Sequence, residues 1–176
     1  MMRVYAGIGA RDTPPGVLQL MGHAAEALAL AGWVLRSGHA PGADQAFEAG
    51  AGRAAEVYMP WPSFEKSVPL EAGYVMDRPS DAARSLAERF HPAWPTLRQG
   101  ARALHARNAH IVLGPALNGP VAFVLCWTRG AAGQGGTGQA TRIAEANGVP
   151  VFDLWRDADR ERVARLVNRY LEAQSG

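Results

Sequence analysis

Short apolar runs alternate with amphipathic stretches along this chain, and the alternation predicts its secondary structure. Runs rich in β-branched and aromatic residues predict five strands, at 2–6, 33–36, 55–59, 121–127 and 149–154. Apolar residues at helical spacing predict six helices, at 15–31, 44–51, 81–90, 96–113 and 138–147 and around 163–171. This order favours a Rossmann-like, doubly wound α/β fold with a mainly parallel sheet in a three-layer sandwich.

Local signals set the predicted boundaries. Thr13 is a candidate N-cap for the first helix, Pro14 and Pro15 suit its first turn, and Gly32 suits its end. The stretch 60–79 has four prolines and lacks a clean period, so we interpret it as a long ordered excursion over the sheet end, a candidate lid. Because neither a repeat nor a linker divides the sequence, residues 1–176 are expected to form one domain.

Composition excludes several classes of protein. Hydrophobic residues make up 48% and charged residues 19%, which is ordinary for a globular domain, and apolar runs stay short of the ~18 residues of a membrane span. We therefore expect a cytoplasmic protein. Cys126, the single cysteine, lies within an apolar run and is expected to be an inert core thiol. His105 and His110 fall on different helix faces, so we predict neither a metal nor a cofactor.

The charge pattern is less decisive. The formal net charge is +2, which is too small to indicate nonspecific nucleic-acid binding. Lys66 is the one lysine among eighteen cations, and arginine recognises phosphate bidentately. A coding bias toward arginine explains the same count equally well.

Three glycine-rich turns follow predicted strands. They are Tyr5-Ala6-Gly7-Ile8-Gly9-Ala10-Arg11, Ser37-Gly38-His39-Ala40-Pro41-Gly42-Ala43-Asp44 and Gly133-Gln134-Gly135-Gly136-Thr137-Gly138. The carboxyl ends of parallel strands share one edge of a sheet, and bare N–H groups at helix starts suit phosphate. The sequence therefore predicts a protein that binds a nucleotide or a nucleic acid.

The first turn offers two glycines for close ligand approach. Gly7 and Gly9 permit a tight bend, and Arg11 can then reach an anionic group. The alternative is a connecting turn with a solvated arginine.

The second turn combines glycines with polar side chains. Ser37, Gly38 and Gly42 are predicted to contribute to a phosphate site through N–H groups and a hydroxyl. Asp44 is a candidate for capping the next helix, which we slightly favour, or for holding a ribose hydroxyl. His39 is a candidate for stacking on a base, and a loop histidine satisfied within the protein is the equal alternative.

The third turn opens a helix. Gly135, Gly136, Thr137 and Gly138 are predicted to form an anion site through the helix dipole and free N–H groups; the alternative is a flexible surface loop. Arg129 and Arg142 flank this turn as candidate phosphate clamps. Weaker candidates are Arg107 with Asn108, which otherwise solvate a helix face, and Trp61, which otherwise anchors the excursion.

These turns resemble those of a known family. The first two, at this spacing, resemble the G-S-R and S-G-x-A-x-G-I-D turns of the DprA/Smf group (DNA-processing protein A). Gly135-Gly136-Thr137-Gly138 is similar to the G-G-x-G-T turn of LOG-type (lysine decarboxylase-like) proteins. Both belong to the SLOG superfamily of Rossmann-like domains, which bind nucleotides, nucleotide-derived signals or single-stranded DNA. The resemblance covers nearly the whole chain, and small phage-encoded members are similar.

The chain departs from the family patterns at several positions. Ala10 stands where the DprA group has serine, and Ala43 where it has isoleucine. The extra terminal domains of many DprA proteins have no counterpart in these 176 residues, so partner contacts made there are not transferred.

The LOG-type catalytic glutamate is also replaced. Arg142 stands at its position, and an arginine cannot do the work of a carboxylate. Glu145, further along the same helix, and Glu48, after the second turn, are weak catalytic candidates.

The leading hypothesis is a DprA-like binding protein for single-stranded DNA or a nucleotide; for DNA, the resemblance implies recombination mediation with a recombinase partner. A nucleotide-signal sensor would use the same site differently. The alternatives are a LOG-like nucleoside 5′-monophosphate phosphoribohydrolase and a structural role with empty turns. The resemblance further implies a homo-oligomer.

Overall fold

The structure, a computed structural model, describes residues 2–175. Its strands are β1 Arg3–Gly7, β2 Trp33–Ser37, β3 Ala55–Tyr58, β4 Tyr74–Met76, β5 Val124–Cys126 and β6 Val151–Asp153. Its α-helices are α1 Pro15–Leu30, α2 Ala43–Ala51, α3 Asp81–Arg89, α4 Gln99–Leu113, α5 Gly135–Ala146 and α6 Asp157–Gln174. Two 3-10 turns lie at Trp94–Thr96 and Arg129–Ala131.

The strands form one parallel sheet in the order β4-β3-β2-β1-β5-β6. The chain builds the sheet outward from β1 to β4, then crosses back so that β5 pairs with the other side of β1. This reversal places a topological switch point between β1 and β5. In open α/β sheets the crevice at such a point, outside the carboxyl ends of the strands, is where ligands bind.

Helices cover both faces of the sheet. One core packs α1, α2 and α6 against the sheet through residues such as Met21, Phe47 and Val163. The other packs α4 and α5 through residues such as Ile111 and Ile143. The predicted doubly wound, three-layer α/β fold is therefore confirmed. Cys126 is buried in the second core, and burial raises the pKa of its thiol.

The excursion at 60–79 contains a strand that the sequence pattern did not predict. Strand β4 lies within it and pairs in parallel with β3, with Val57 opposite Val75. The strand has only three residues and forms the sheet edge, so Tyr74 and Val75 stay exposed. Two exposed apolar side chains in succession break the in–out alternation on which strand prediction depends.

Several predicted boundaries shift. Helix α5 begins at Gly135 rather than 138, and α4 begins at Gln99 after a 3-10 turn rather than at 96. Thr13 is not the N-cap of α1: its hydroxyl donates to the carbonyl of Ala10 at 2.7 Å, and Pro14 takes the cap position. Across residues 2–175, no helix combines the length and apolarity needed to cross a membrane.

Candidate functional site

The three glycine-rich turns meet at the carboxyl edge of the sheet, at the switch point. A cavity of about 300 Å³ opens there between the β1 turn, the start of α2, the amino-terminal half of α4 and the start of α5. Its walls are formed by Ile8, Gly9, Ala10, Arg11, Ala40, Asp44, Ala101, Leu104, His105, Arg107, Asn108, Gln134, Gly135, Gly136 and Thr137. We call this space the switch-point cavity.

The third turn forms the open amino-terminal end of α5 at the wall of the switch-point cavity. Gln134 has extended backbone angles at the N-cap, and the first intrahelical acceptor is used by Gly138, whose N–H donates to the Gln134 carbonyl at 3.1 Å. The N–H groups of Gly135, Gly136 and Thr137 belong to the first helical turn, which has no acceptor upstream in its own helix. Together with the helix dipole they form a positive wall.

Gly138 itself serves packing rather than ligand access. A Cβ at this position would lie 1.6 Å from the carbonyl oxygen of Gly133, because the turn folds back onto the helix. Gly138 is buried, whereas Gly135 and Gly136 are exposed. Of the four predicted residues, three line the switch-point cavity and Gly138 holds their backbone in place.

The glycines of the first two turns are required by close packing. A Cβ at Gly7 would lie 2.6 Å from the Phe47 ring, and one at Gly9 would lie 2.6 Å from the Ala43 Cβ. Gly42 has φ +89°, and a Cβ there would lie 2.7 Å from the Arg11 carbonyl. Gly9 also lines the switch-point cavity, while Gly7 and Gly42 lie behind its wall.

Ser37 and Gly38 point into the protein. The Ser37 hydroxyl donates to the carbonyl of Gly7 at 2.7 Å, and Ser37 is fully buried. The Gly38 carbonyl accepts a hydrogen bond from Nη1 of Arg107. These contacts join the first turn, the second turn and α4, and they use the Ser37 hydroxyl that the sequence pattern assigned to a ligand.

His39 is 1% exposed and lies away from the switch-point cavity. Its ring Nδ1 lies 2.6 Å from Oε2 of Glu48, and its backbone N–H donates to Oε1 of the same carboxylate at 2.8 Å. The hydrogen bond to Glu48 raises the pKa of His39, and burial opposes it. Both members of the pair face a separate cavity beneath the excursion, so neither the stacking histidine nor the catalytic Glu48 is placed where a ligand at the switch point would need it.

Arg107 is buried, so the alternative interpretation, in which it solvates a helix face, is wrong. It is 7% exposed, donates to Gly38 and to Asn108 Oδ1, and lies over the ring of Phe64. Its charge faces two buried carboxylates, Asp44 and Glu48. Arg107 therefore balances the charge beneath the turns and also forms part of the cavity wall.

Asn108 connects α4 to the third turn. Its Nδ2 donates to the Gly136 carbonyl at 3.0 Å and to Oε1 of Gln139 at 3.0 Å. His105 Nδ1 lies 3.2 Å from the same Gln139 oxygen, and burial lowers the pKa of His105. His105, Gln139, Ala101 and Leu104 did not stand out in the sequence, because polar and apolar residues on a helix look alike whether they face a core or a cavity.

Asp44 lies in the wall of the switch-point cavity, in the first turn of α2. It is 3% exposed, and its Oδ2 accepts from the Ala40 N–H at a long 3.4 Å. Gly42, not Asp44, takes the N-cap position of α2, so the favoured capping role is not observed. Burial raises the pKa of Asp44 to about 6, Glu48 adds to this, and Arg107 opposes it.

The flanking arginines are placed differently. Arg11 is exposed and lines the switch-point cavity. Arg129 lies outside it and pairs with Asp12 at 2.6 Å on the surface. Arg142 donates to the Gly133 carbonyl and, with Glu145, faces another cavity of about 630 Å³ between α5 and β6.

Trp61 also lies outside the switch-point cavity. It is 40% exposed and packs edge-on against Phe64 at a centroid distance of 5.2 Å. Within the described residues, His, Cys, Asp and Glu side chains form no cluster of three or more that could hold a metal.

Comparison with known proteins finds similarity to solved structures. Neither a protein-family model nor a curated protein matches this chain. Among solved structures, it is similar to DNA processing protein A from Helicobacter pylori, a protein with a described single-stranded DNA binding mode. The TM-score is 0.59 over 98% of this chain and 81% of that chain, at 19% identity. The chain has a DprA-like α/β fold. At this identity the likeness concerns the fold.

Proposed function

We propose that this chain binds a phosphate-bearing nucleotide unit, of single-stranded DNA or of a free nucleotide, in the switch-point cavity. The observation that carries this proposal is the meeting of all three turns around one cavity whose wall includes the open first turn of α5. Backbone N–H groups at a helix start and a nearby arginine form a general anion site.

The charges on the cavity wall favour one position for the phosphate. Gly135, Gly136 and Thr137 supply donors on one wall, and Arg11 lies on the β1 turn. The Asp44 carboxylate lies on another part of the wall and repels an anion. The phosphate therefore belongs at the start of α5.

Single-stranded DNA is the preferred ligand class. The fold likeness to DNA processing protein A from Helicobacter pylori supports it, since that protein binds single-stranded DNA. Together with the family resemblance of the turns, we further propose a place in the SLOG superfamily, a cytoplasmic role in recombination with a recombinase partner, and a homo-oligomer. A sensor of a nucleotide signal would use the same site to bind a free nucleotide.

A fluorescence-anisotropy titration tests this function. Labelled dT oligonucleotides of increasing length and a panel of mononucleotides would be titrated at low and moderate salt. DNA binding should strengthen with length and weaken with salt, with a log–log slope of about −0.7 per phosphate contacted. Arg11→Ala should weaken both kinds of ligand, and binding that Arg11→Ala leaves unchanged would contradict the phosphate site.

A phosphoribohydrolase is the second candidate function, and one observation bears on it. Glu48 and Glu145 lie at other cavities, whereas Asp44 is a buried carboxylate that faces the switch-point cavity. Cleavage of the base–ribose bond would thus depend on Asp44. Free-base release from nucleoside 5′-monophosphates, lost in Asp44→Asn, would establish an enzyme; intact nucleotides after long incubation favour a binding protein.

A further inference from the structure

The Asp44 carboxylate has unused hydrogen-bonding capacity at the cavity wall. It is 3% exposed, and it accepts from the backbone N–H groups of Ala40, at a long 3.4 Å, and of Gly9. An ionised carboxylate offers about four lone-pair sites. The two backbone donors leave part of this capacity free, and the position of Asp44 in the cavity wall makes that part available to a ligand donor.

Two charged groups act on the Asp44 carboxylate, and a third lies in the wall of the same cavity. Arg107 on α4 attracts it, Glu48 on α2 repels it, and Arg11 on the β1 turn shares the same cavity. Burial raises the pKa of Asp44 to about 6, so the group is ionised at pH 8. A ligand group that meets it must therefore donate a hydrogen bond.

The cavity has two chemically distinct parts. The start of α5 supplies backbone donors that suit a phosphate, while Asp44 supplies an acceptor that rejects one. Ile8, Ala101 and Leu104 add apolar surface to the wall. A volume of about 300 Å³ is at the small end of ligand sites and suits a single nucleotide.

We propose that Asp44 is a specificity-determining residue that accepts a hydrogen bond from an N–H or O–H donor on the base or sugar of one nucleotide, whose phosphate lies at the start of α5. The inference rests on the proposed function and adds to it the recognition of the base or sugar of the ligand. Inorganic phosphate would contact only the start of α5 and would leave the Asp44 acceptor without a donor.

Calorimetric titration at pH 8 tests the proposal. The four deoxynucleoside 5′-monophosphates and inorganic phosphate would be titrated into the wild-type protein. The tightest nucleotide would then be compared with two analogues, one methylated at the base N–H and one methylated at the 3′-hydroxyl. We expect one methylation to weaken wild-type binding about tenfold or more, and its identity tells a base donor from a sugar donor.

The Asp44→Asn variant tests whether the ligand donor that methylation removes is the one bound by the Asp44 carboxylate. Asparagine keeps the size of the side chain and an acceptor for the Ala40 N–H, so the variant is expected to fold, which a thermal melt checks. We expect it to bind the parent nucleotide and the critical analogue with equal affinity, because discrimination is lost, and to bind inorganic phosphate at least as tightly as the wild type does, because a repelling charge is removed. Glu48→Gln is the matched control: it removes the other carboxylate beside Arg107, lies outside the switch-point cavity, and should keep the discrimination.

Two results overturn the inference. One is a wild-type protein for which no nucleotide binds more tightly than inorganic phosphate or for which neither methylation matters. The other is an Asp44→Asn variant that discriminates as the wild type does. Failure of the proposed function has a different signature, because inorganic phosphate would then bind equally to wild type and Gly136→Asp.

Discussion

The second and third glycine-rich turns both follow a strand, but one is turned inward and the other is open to a cavity. In the second, Ser37, Gly38 and His39 are turned inward and bonded to Gly7, Arg107 and Glu48. In the third, Gly135 and Gly136 are exposed and open the first turn of α5 to a cavity. Glycine in the second turn permits close packing, and glycine in the third leaves backbone donors uncovered.

This difference separates scaffold from binding surface. Residues of the second turn should control the stability of the protein, and residues of the third should control its affinity for phosphate. Asp44 belongs to both the scaffold and the binding surface, because it is buried and also lines the switch-point cavity.

The largest expected effect is on the scaffold. Arg107→Met leaves the Gly38 carbonyl without its donor and removes the positive charge that faces Asp44 and Glu48, so the free energy of unfolding should fall by about 3–5 kcal/mol. Urea denaturation measures this. Arg165→Met, at a side chain 58% exposed on α6, is the control and should change stability by less than about 0.5 kcal/mol. Equal effects in the two variants would mean that Arg107 does not support the turns.

The ionised Asp44 carboxylate should lower the stability of the folded protein while it contributes to ligand binding. Its pKa is about 6 in the folded protein against a usual value of 3.8, so ionisation destabilises the folded state. The full cost applies above about pH 6 and disappears as pH falls toward 4, where the folded state takes up a proton first. At 1.36 kcal/mol per pKa unit, Asp44→Asn should be about 1–3 kcal/mol more stable than wild type at pH 8 and equal to it near pH 4.

Denaturation at the two pH values checks this prediction. Asp77→Asn, at an exposed carboxylate, should leave the pH dependence unchanged. An Asp44→Asn variant that is less stable than wild type at pH 8 would show that the native protein stabilises the ionised carboxylate instead.

Substitutions in the third turn should change the affinity for phosphate ligands and leave the stability of the protein nearly unchanged. Gly136→Asp places a carboxylate in the anion site, and a Cβ there has its nearest neighbour, Asn108 Nδ2, at 3.8 Å, so the fold has room for it. We expect phosphate-ligand affinity to fall at least about tenfold with the melting temperature nearly unchanged. Gly16→Asp is the matched control, at the second position of α1 and in open space. It should keep wild-type affinity, and parallel losses in the two variants would contradict the assignment.

The smallest effect separates two arginines near the turns. Arg11 lines the switch-point cavity, while Arg129 is paired with Asp12 on the surface outside it. Arg129→Ala should weaken binding less than about threefold, as expected for an exposed charge, and Arg11→Ala should weaken it more. Dissociation constants measured at the same salt concentration compare the two, and the reverse order would move the phosphate toward Arg129.

Much of the fold follows from periodicity. Apolar runs and helical stripes predicted the doubly wound α/β sandwich and the convergence of three turns at one sheet edge. They did not predict β4, because a three-residue edge strand with two exposed apolar side chains lacks the alternation of a longer strand.

The site was harder to predict because its decisive contacts are distant in sequence. Arg107 bonds to Gly38 across 69 residues, and Asn108 bonds to Gly136 across 28. A sequence shows that a turn contains polar groups but not whether the fold already satisfies them. For this reason the inward second turn and the open third turn could not be told apart before the structure.

The most direct test is a ¹H–¹⁵N NMR titration with a thymidine oligonucleotide and with thymidine 5′-monophosphate. The account predicts the largest backbone amide shifts at Gly135, Gly136 and Thr137, accompanied by Gly9 and Arg11, with smaller shifts at Ser37 and His39. Largest shifts at Ser37, Gly38 and His39, with an unperturbed start of α5, would contradict it.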